Sequence, residues 1–263
     1  MNDGRALARV YLEQQRLLGT DAVILPAAAA PQAPAASALT PAARNDMPSE
    51  PTSGVAAAGL PPTGLIYDPP ARDLFTKDPI QQAESVAAVA ELVAACTKCR
   101  LCEARNHTVP GEGPADARLV VVGEGPGRVE DETGRPFVGP AGELLTKILA
   151  AIDLPRERVF ICNVVKCRPP ENRTPQYDEV AACVPYLFRQ IDLLKPKVIL
   201  AMGGTAAQTL LNTKQALGAL RSRIHRFRGI PLIVTYHPAA LLRNPNWKKP
   251  TWDDVRIARR LLD

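Results

Sequence analysis

The sequence predicts an α/β fold: a central, mostly parallel four-stranded sheet covered by helices on both faces, behind a disordered N-terminal extension. Three observations carry this expectation. Short apolar runs such as LVVV at 119–122 and VILAM at 198–202 end directly in glycine, as strands buried on both faces do. Stretches with helical spacing separate these runs, and a helix between two strands brings them parallel. Of the 26 prolines, ten fall within residues 26–70 of the N-terminal third, too densely for a uniformly folded segment.

Within residues 1–25, Leu7, Val10, Tyr11, Gln14, Leu17 and Leu18 recur at helical spacing and Gly19 stops the pattern. A short amphipathic helix is expected there, as a docking element for a replication or repair partner or as an appendage with no role. Residues 26–78 are mainly Ala, Pro, Ser and Thr, a composition that cannot offset its own conformational entropy, and are expected to be a disordered linker. The folded domain is expected at 79–263. A helix at 81–95 leads into the first cysteines, and strand 119–122, helix 141–152 and strand 159–165 follow. Next come helix 175–194, strand 198–202 and helix 205–211. A hairpin of 224–227 and 232–236 around Gly229 and Pro231 precedes the closing helix 251–262.

The 263 residues suit one domain with extra material, and 46% hydrophobic content is enough for a buried core. A net charge of +5 hints at an anionic partner, though ordinary solubility gives similar values. Neither a leader pattern nor an apolar run of membrane-spanning length is visible, so a cytoplasmic protein with no membrane partner is expected. In that reducing compartment the six cysteines point to metal binding or catalysis. Cys96 and Cys99 form a CxxC pair, and with Cys167 and Cys183 they make a complete thiolate set for tetrahedral zinc or a four-iron cluster; ligand softness does not choose between them. Cys102 and Cys162 read as small buried apolar residues, although Cys102 extends the run to CxxCxxC.

In a parallel sheet, ligands bind at the carboxyl ends of the strands. Three segments lie there. After the first strand comes GEGPGRVED, then GRPFVG at 134–139. It fits a dinucleotide fingerprint poorly, because Arg128 stands where a glycine belongs and Pro126 removes a donor. The alternative is a loop presenting backbone donors and an aromatic platform, Phe137, to a flat ligand. After the second strand, NVVKCRPPENR places Asn163, an amide donor and acceptor able to read a base edge, beside Lys166, Arg168 and Arg173 as phosphate partners. After the last strand, HPAALLR begins with His237, a better functional candidate than a histidine on an apolar face.

These three segments in this order, with the four cysteines, resemble the family 4 uracil-DNA glycosylases from about Cys96 to Asp263. The resemblance implies a three-layer α/β/α fold and a 4Fe-4S cluster on Cys96, Cys99, Cys167 and Cys183. It implies hydrolysis of the N-glycosidic bond of uracil flipped out of single- or double-stranded DNA by a monomeric, monofunctional enzyme that opens base excision repair at the nucleoid. Uracil would stack on Phe137 and pair with Asn163, with Glu124, Gly125 and Pro126 lining the pocket and Glu130 crowding out the methyl of thymine. His237 would donate to the uracil O2, and Leu241, Leu242 and Arg243 would enter the duplex. Gly125 stands where better-known relatives carry a water-positioning aspartate, which leaves Glu130, Asp131 and Asn172 as candidates.

Two other readings compete. A relative in the same superfamily traps DNA covalently through a histidine in the loop after the second strand, but this chain has Pro170-Glu171-Asn172-Arg173 there. A non-catalytic DNA-binding module with a four-cysteine staple would not need Phe137, Asn163 and His237 together.

Overall fold

Six strands, rather than four, form the sheet. In the computed structural model, which describes residues 60–70 and 77–263, they run β1 (Thr63–Tyr67), β2 (Leu119–Gly123), β3 (Phe160–Asn163), β4 (Val198–Met202), β5 (Ile224–Phe227) and β6 (Ile230–Thr235). Their spatial order is β1-β5-β6-β4-β2-β3, and every neighbouring pair is parallel except the β5/β6 hairpin. The described residues fall in one compact unit spanning 59–263. The expected N-terminal helix lies outside them, as does the linker up to residue 59.

The strand that the sequence hid is β1, which falls inside the segment expected to be disordered up to residue 78. A five-residue strand at a sheet edge needs no long apolar signature, and its anchor lies far away in the chain. The Leu65 N–H donates to Nδ1 of His225 across 2.8 Å, and the other nitrogen of that buried ring lies 2.6 Å from the Leu220 carbonyl. His225 is therefore a structural histidine, and burial lowers its pKa.

The interior strands alternate between two cores. Val120, Val122, Ile199 and Ala201 face one apolar layer, while Leu119, Val121, Val198 and Leu200 face the other. Helices α1 (Pro79–Gln82) and α2 (Val86–Ala94) stand where one continuous helix was expected; the first ends at Ala83, and Ser85 caps the second by accepting from the Ala88 N–H. Helix α3 (Arg128–Thr133) was not expected, because its glycine N-cap hides the start. Then follow α4 (Pro140–Ala150), α5 (Tyr177–Leu194), α6 (Gly204–Leu211), α7 (Leu217–Leu220), α8 (Pro238–Arg243) and α9 (Lys248–Leu262). The α5 residues Leu187 and Ile191 pack in the first core, and the α4 and α9 residues Leu145, Leu149, Val255 and Ala258 in the second, which gives the three layers.

The edge strand β3 is paired on its outer side too, where Glu112 and Ile161 exchange backbone hydrogen bonds of 2.9 and 2.8 Å. Among the described residues, no helix is long and apolar enough to cross a membrane.

Candidate active site

The carboxyl ends of β2, β3, β4 and β6 open onto a cleft of about 590 Å³. Glu124, Gly125, Pro126, Glu130, Phe137, Asn163, Asn172, His237 and Arg243 all line it, so most of the residues read from three separate segments meet in one place. Parallel pairing sets Gly123 directly beside Asn163, and the Gly123 carbonyl accepts from the Val164 N–H at 2.9 Å.

Gly123 has to be glycine. A Cβ there would lie 2.4 Å from Asn163 Oδ1 and 2.5 Å from Phe137 Cζ, so both side chains occupy the space it leaves. Asn163 is 1% exposed, and its Oδ1 is buried with no hydrogen-bond partner among the described residues. Such an orphaned acceptor costs about 1–3 kcal/mol, a cost that a ligand N–H would remove. Phe137 adopts a φ of 51°, unusual for an aromatic residue, and Arg156 holds it there by donating to the carbonyls of Phe137 (2.8 Å) and Pro136 (2.5 Å). Gly142 permits the same turn, since a Cβ would fall 1.8 Å from the Phe137 carbonyl oxygen.

The Phe137 ring lies 5.4 Å from that of His237, tilted by 32°. His237 caps α8, and its Nδ1 accepts from the Ala239 N–H at 3.2 Å. The neutral ring must then carry its proton on Nε2. Burial, reinforced by the nearby charge of Arg243, pushes the imidazole down to about 4, against an opposing pull from Glu130.

The acidic residues divide sharply. Glu130 accepts from the N–H groups of Val138 and Gly139 at 2.9 Å each and from Gly127 at 3.1 Å, so its carboxylate clamps the loop that presents Phe137. Asp131 points away from the cleft and accepts from Asn106 N (2.9 Å) and Nδ2 (2.7 Å). It was read as a candidate for orienting water and is instead a structural carboxylate, because consecutive residues on a helix face different directions. Asn172 reaches the cleft, but its Oδ1 accepts from Arg168 Nε at 2.8 Å. Glu124 accepts from Thr205 Oγ1 at 2.5 Å.

Further expectations change. Lys166 is 1% exposed and donates to the Asn163 carbonyl (2.9 Å) and Gln190 Oε1 (2.7 Å), so it is not available to phosphate. Arg173 makes a bidentate pair with Glu179 at 2.6 and 2.8 Å. Of the expected wedge, Leu241 is 1% exposed and belongs to the interior, whereas Leu242 is 51% exposed and Arg243 projects beside it. Thr205, Tyr236 and Trp247 were missed. The rule that directed attention to the other strand ends would have found Gly203-Gly204-Thr205 after β4; Trp247 is reached only by folding.

Behind the cleft, Cys96, Cys99, Cys167 and Cys183 line one small cavity, with Cys102 also on its wall. Cys162 is buried in the core. Arg105 Nη1 donates to Cys167 Sγ at 3.2 Å, and the Lys166 N–H to Cys183 Sγ at 3.3 Å. Burial pushes the Cys183 thiol up to about 12. Among the described residues, no three Cys, His, Asp or Glu side chains gather around a single-ion site.

Residues 110–257 match the model of the Uracil DNA glycosylase superfamily. Three proteins described as type-4 uracil-DNA glycosylases are similar to the chain. That of Thermotoga maritima is 48% identical, covering 68% of this chain and 95% of its own; that of Sulfurisphaera tokodaii is 44% identical over 68% and 85%. The one from Pyrobaculum aerophilum is 48% identical over 59% and 83%. The family match spans the same strand ends that build the cleft, and the chain belongs to the uracil-DNA glycosylase superfamily.

Proposed function

We infer that the chain is a DNA glycosylase that excises uracil by hydrolysing its bond to deoxyribose. The observation that carries this reading is the trio at the cleft floor: an orphaned amide acceptor on Asn163, the Phe137 ring, and a neutral His237 with its proton on Nε2. Uracil offers an N3–H to Asn163 Oδ1 and an O4 acceptor to its Nδ2. Neutral cytosine offers an acceptor at N3 and a donor at C4, which mismatches both atoms. The methyl of thymine is excluded on the side of the loop that Glu130 clamps.

His237 donates from Nε2 to the uracil O2 as the C1′–N1 bond breaks and charge gathers on the base. A neutral imidazole suits this role, because Nδ1 stays free to accept from the Ala239 N–H while Nε2 keeps the proton it donates. Water adds to C1′, one of its protons ends on the released base, and a hydroxyl remains on the sugar. We assign that water to Glu124: Thr205 holds one oxygen of its carboxylate, and the other candidate groups are engaged by protein donors or lie outside the cleft. No lysine lines the cleft for Schiff-base chemistry among the described residues, which supports a monofunctional enzyme opening base excision repair. Leu242 and Arg243 are the groups assigned to enter the duplex beside the flipped nucleotide.

Cys96, Cys99, Cys167 and Cys183 suit a 4Fe-4S cluster: all four line one cavity, and N–H donors already point at two of the sulfurs, as around thiolate-bound clusters. When bound, the cluster supplies a cross-link, not redox chemistry for base removal. Residues 1–25 as a partner-docking helix, 26–59 as a linker, a monomeric state and work at the nucleoid in the cytoplasm complete the proposal.

Uracil release from single- and double-stranded oligonucleotides by wild type and His237→Ala tests the function. Release that falls about 100-fold in the variant is expected, in line with losing one donor to a developing anion. No release by wild type rejects the assignment, and a covalent adduct on denaturing gels would favour the trapping relative.

A further inference from the structure

Beyond the uracil pocket, the cleft has an aromatic wall that base removal itself does not use. Tyr236 and Trp247 are stacked at 4.7 Å with their planes 3° apart, and both line the cleft. The Arg221 guanidinium lies 4.3 Å over the Tyr236 ring. Two planar groups at such distances cannot share one face, so Tyr236 is held between them. Arg221 is fixed in turn by a 2.7 Å pair with buried Asp254 and a 2.9 Å bond to the Pro250 carbonyl. The result is a rigid column of three flat groups whose last member, Trp247, is partly exposed at the cleft. Exposed Arg243, Lys248 and Lys249 flank it in sequence.

We propose that the free face of Trp247 is a stacking subsite for the nucleobase next to the uracil on the same strand, used chiefly when that strand is single. The proposal rests on the uracil-excision reading. A duplex keeps the neighbouring base in its own stack, whereas in a single strand that base has lost part of its stacking and an aromatic face replaces it. The adjacent cations answer the phosphates on either side. A rigid platform serves better than a mobile one, because ordering the ring consumes none of the stacking energy.

The test reads Trp247 directly. The chain has two tryptophans, so Trp252→Phe leaves Trp247 as the single tryptophan, excited selectively over the tyrosines. This variant is titrated with single-stranded oligonucleotides that carry a stable abasic analogue at the uracil position, with binding followed independently by anisotropy of labelled DNA. Fluorescence is expected to be quenched at saturation, and removing the base on one side of the analogue is expected to abolish the quench. No quench at saturated binding, or a quench indifferent to both neighbouring bases, overturns the proposal. In parallel, Trp247→Ala is expected to raise KM for single-stranded uracil DNA at least about 5-fold with kcat kept, and KM for duplex by less, with Trp247→Phe restoring most of the loss. An unchanged KM, or equal losses on both substrates, overturns it as well. Wild-type uracil release, measured alongside, separates this outcome from a failure of the glycosylase reading.

Discussion

The Ala239 N–H donates to Nδ1 of His237, and this one bond decides which nitrogen of the cleft-lining imidazole carries the proton. With its pKa lowered to about 4, the ring stays neutral across the range where a free histidine titrates. Single-turnover uracil release should therefore show no inflection near pH 6.5 from this residue, and should fall only as pH drops through about 4. The sign follows from linkage as well: between those two values the unfolded chain binds a proton that the folded one refuses, so His237 makes stability decline with acidification over that window. A bell or limb centred near 6.5 that disappears in His237→Ala would contradict the neutral-donor role.

Asn163→Asp replaces the Nδ2 donor by a second oxygen and opens the pocket to the amino group of cytosine. Uracil release should fall by about 30-fold, as when a buried hydrogen bond is lost and a partner is left unpaired, while cytosine release becomes measurable. Competition between uracil- and cytosine-containing oligonucleotides reads both at once. Unchanged selectivity would remove Asn163 from base recognition.

The contrast between neighbouring leucines on α8 gives a paired prediction. Leu242→Ala should keep the thermal midpoint within a degree or so, since exposed positions contribute little, and lower release from duplex more than from single strands. Leu241→Ala should cost about 2–4 kcal/mol of stability through the cavity it opens, which thermal melts would register. If both leave stability alone, Leu241 is not the interior residue it is taken for here.

Cys183→Ser should remove the brown colour expected of the holoprotein and loosen residues 166–173, because the Lys166 N–H then loses its sulfur partner. Limited proteolysis should cut the variant first within that loop, and affinity for DNA should fall together with it. A colourless, zinc-loaded wild type that is fully active would reject the cluster and leave the glycosylase reading intact.

Much of the site was legible because its residues follow strands that are apolar from end to end: Gly123, Asn163 and His237 mark the points where such runs stop. The fold was legible for the same reason in β2, β3 and β4. What escaped depends on distant partners. β1 is too short, between proline pairs, to announce itself, and it is held by its pairing with β5 and by a hydrogen bond to His225, 160 residues away. Glu130 and Asp131 look equivalent in sequence, yet one turns toward the cleft and the other toward Asn106. Lys166 reads as a surface cation until Gln190 and the Asn163 carbonyl each accept a hydrogen bond from its ammonium inside the protein.

β3 lies at the rim of the sheet, but the exchange between Glu112 and Ile161 gives it a partner on its outer side at that one residue. Edge strands ordinarily breathe and invite pairing with other chains. This one is bridged at Ile161, so the Asn163 amide assigned to base reading is mounted two residues beyond a point held from both sides. Its backbone amides should be among the slow exchangers of the molecule, and a passing cytosine would meet a template that does not bend to accommodate it.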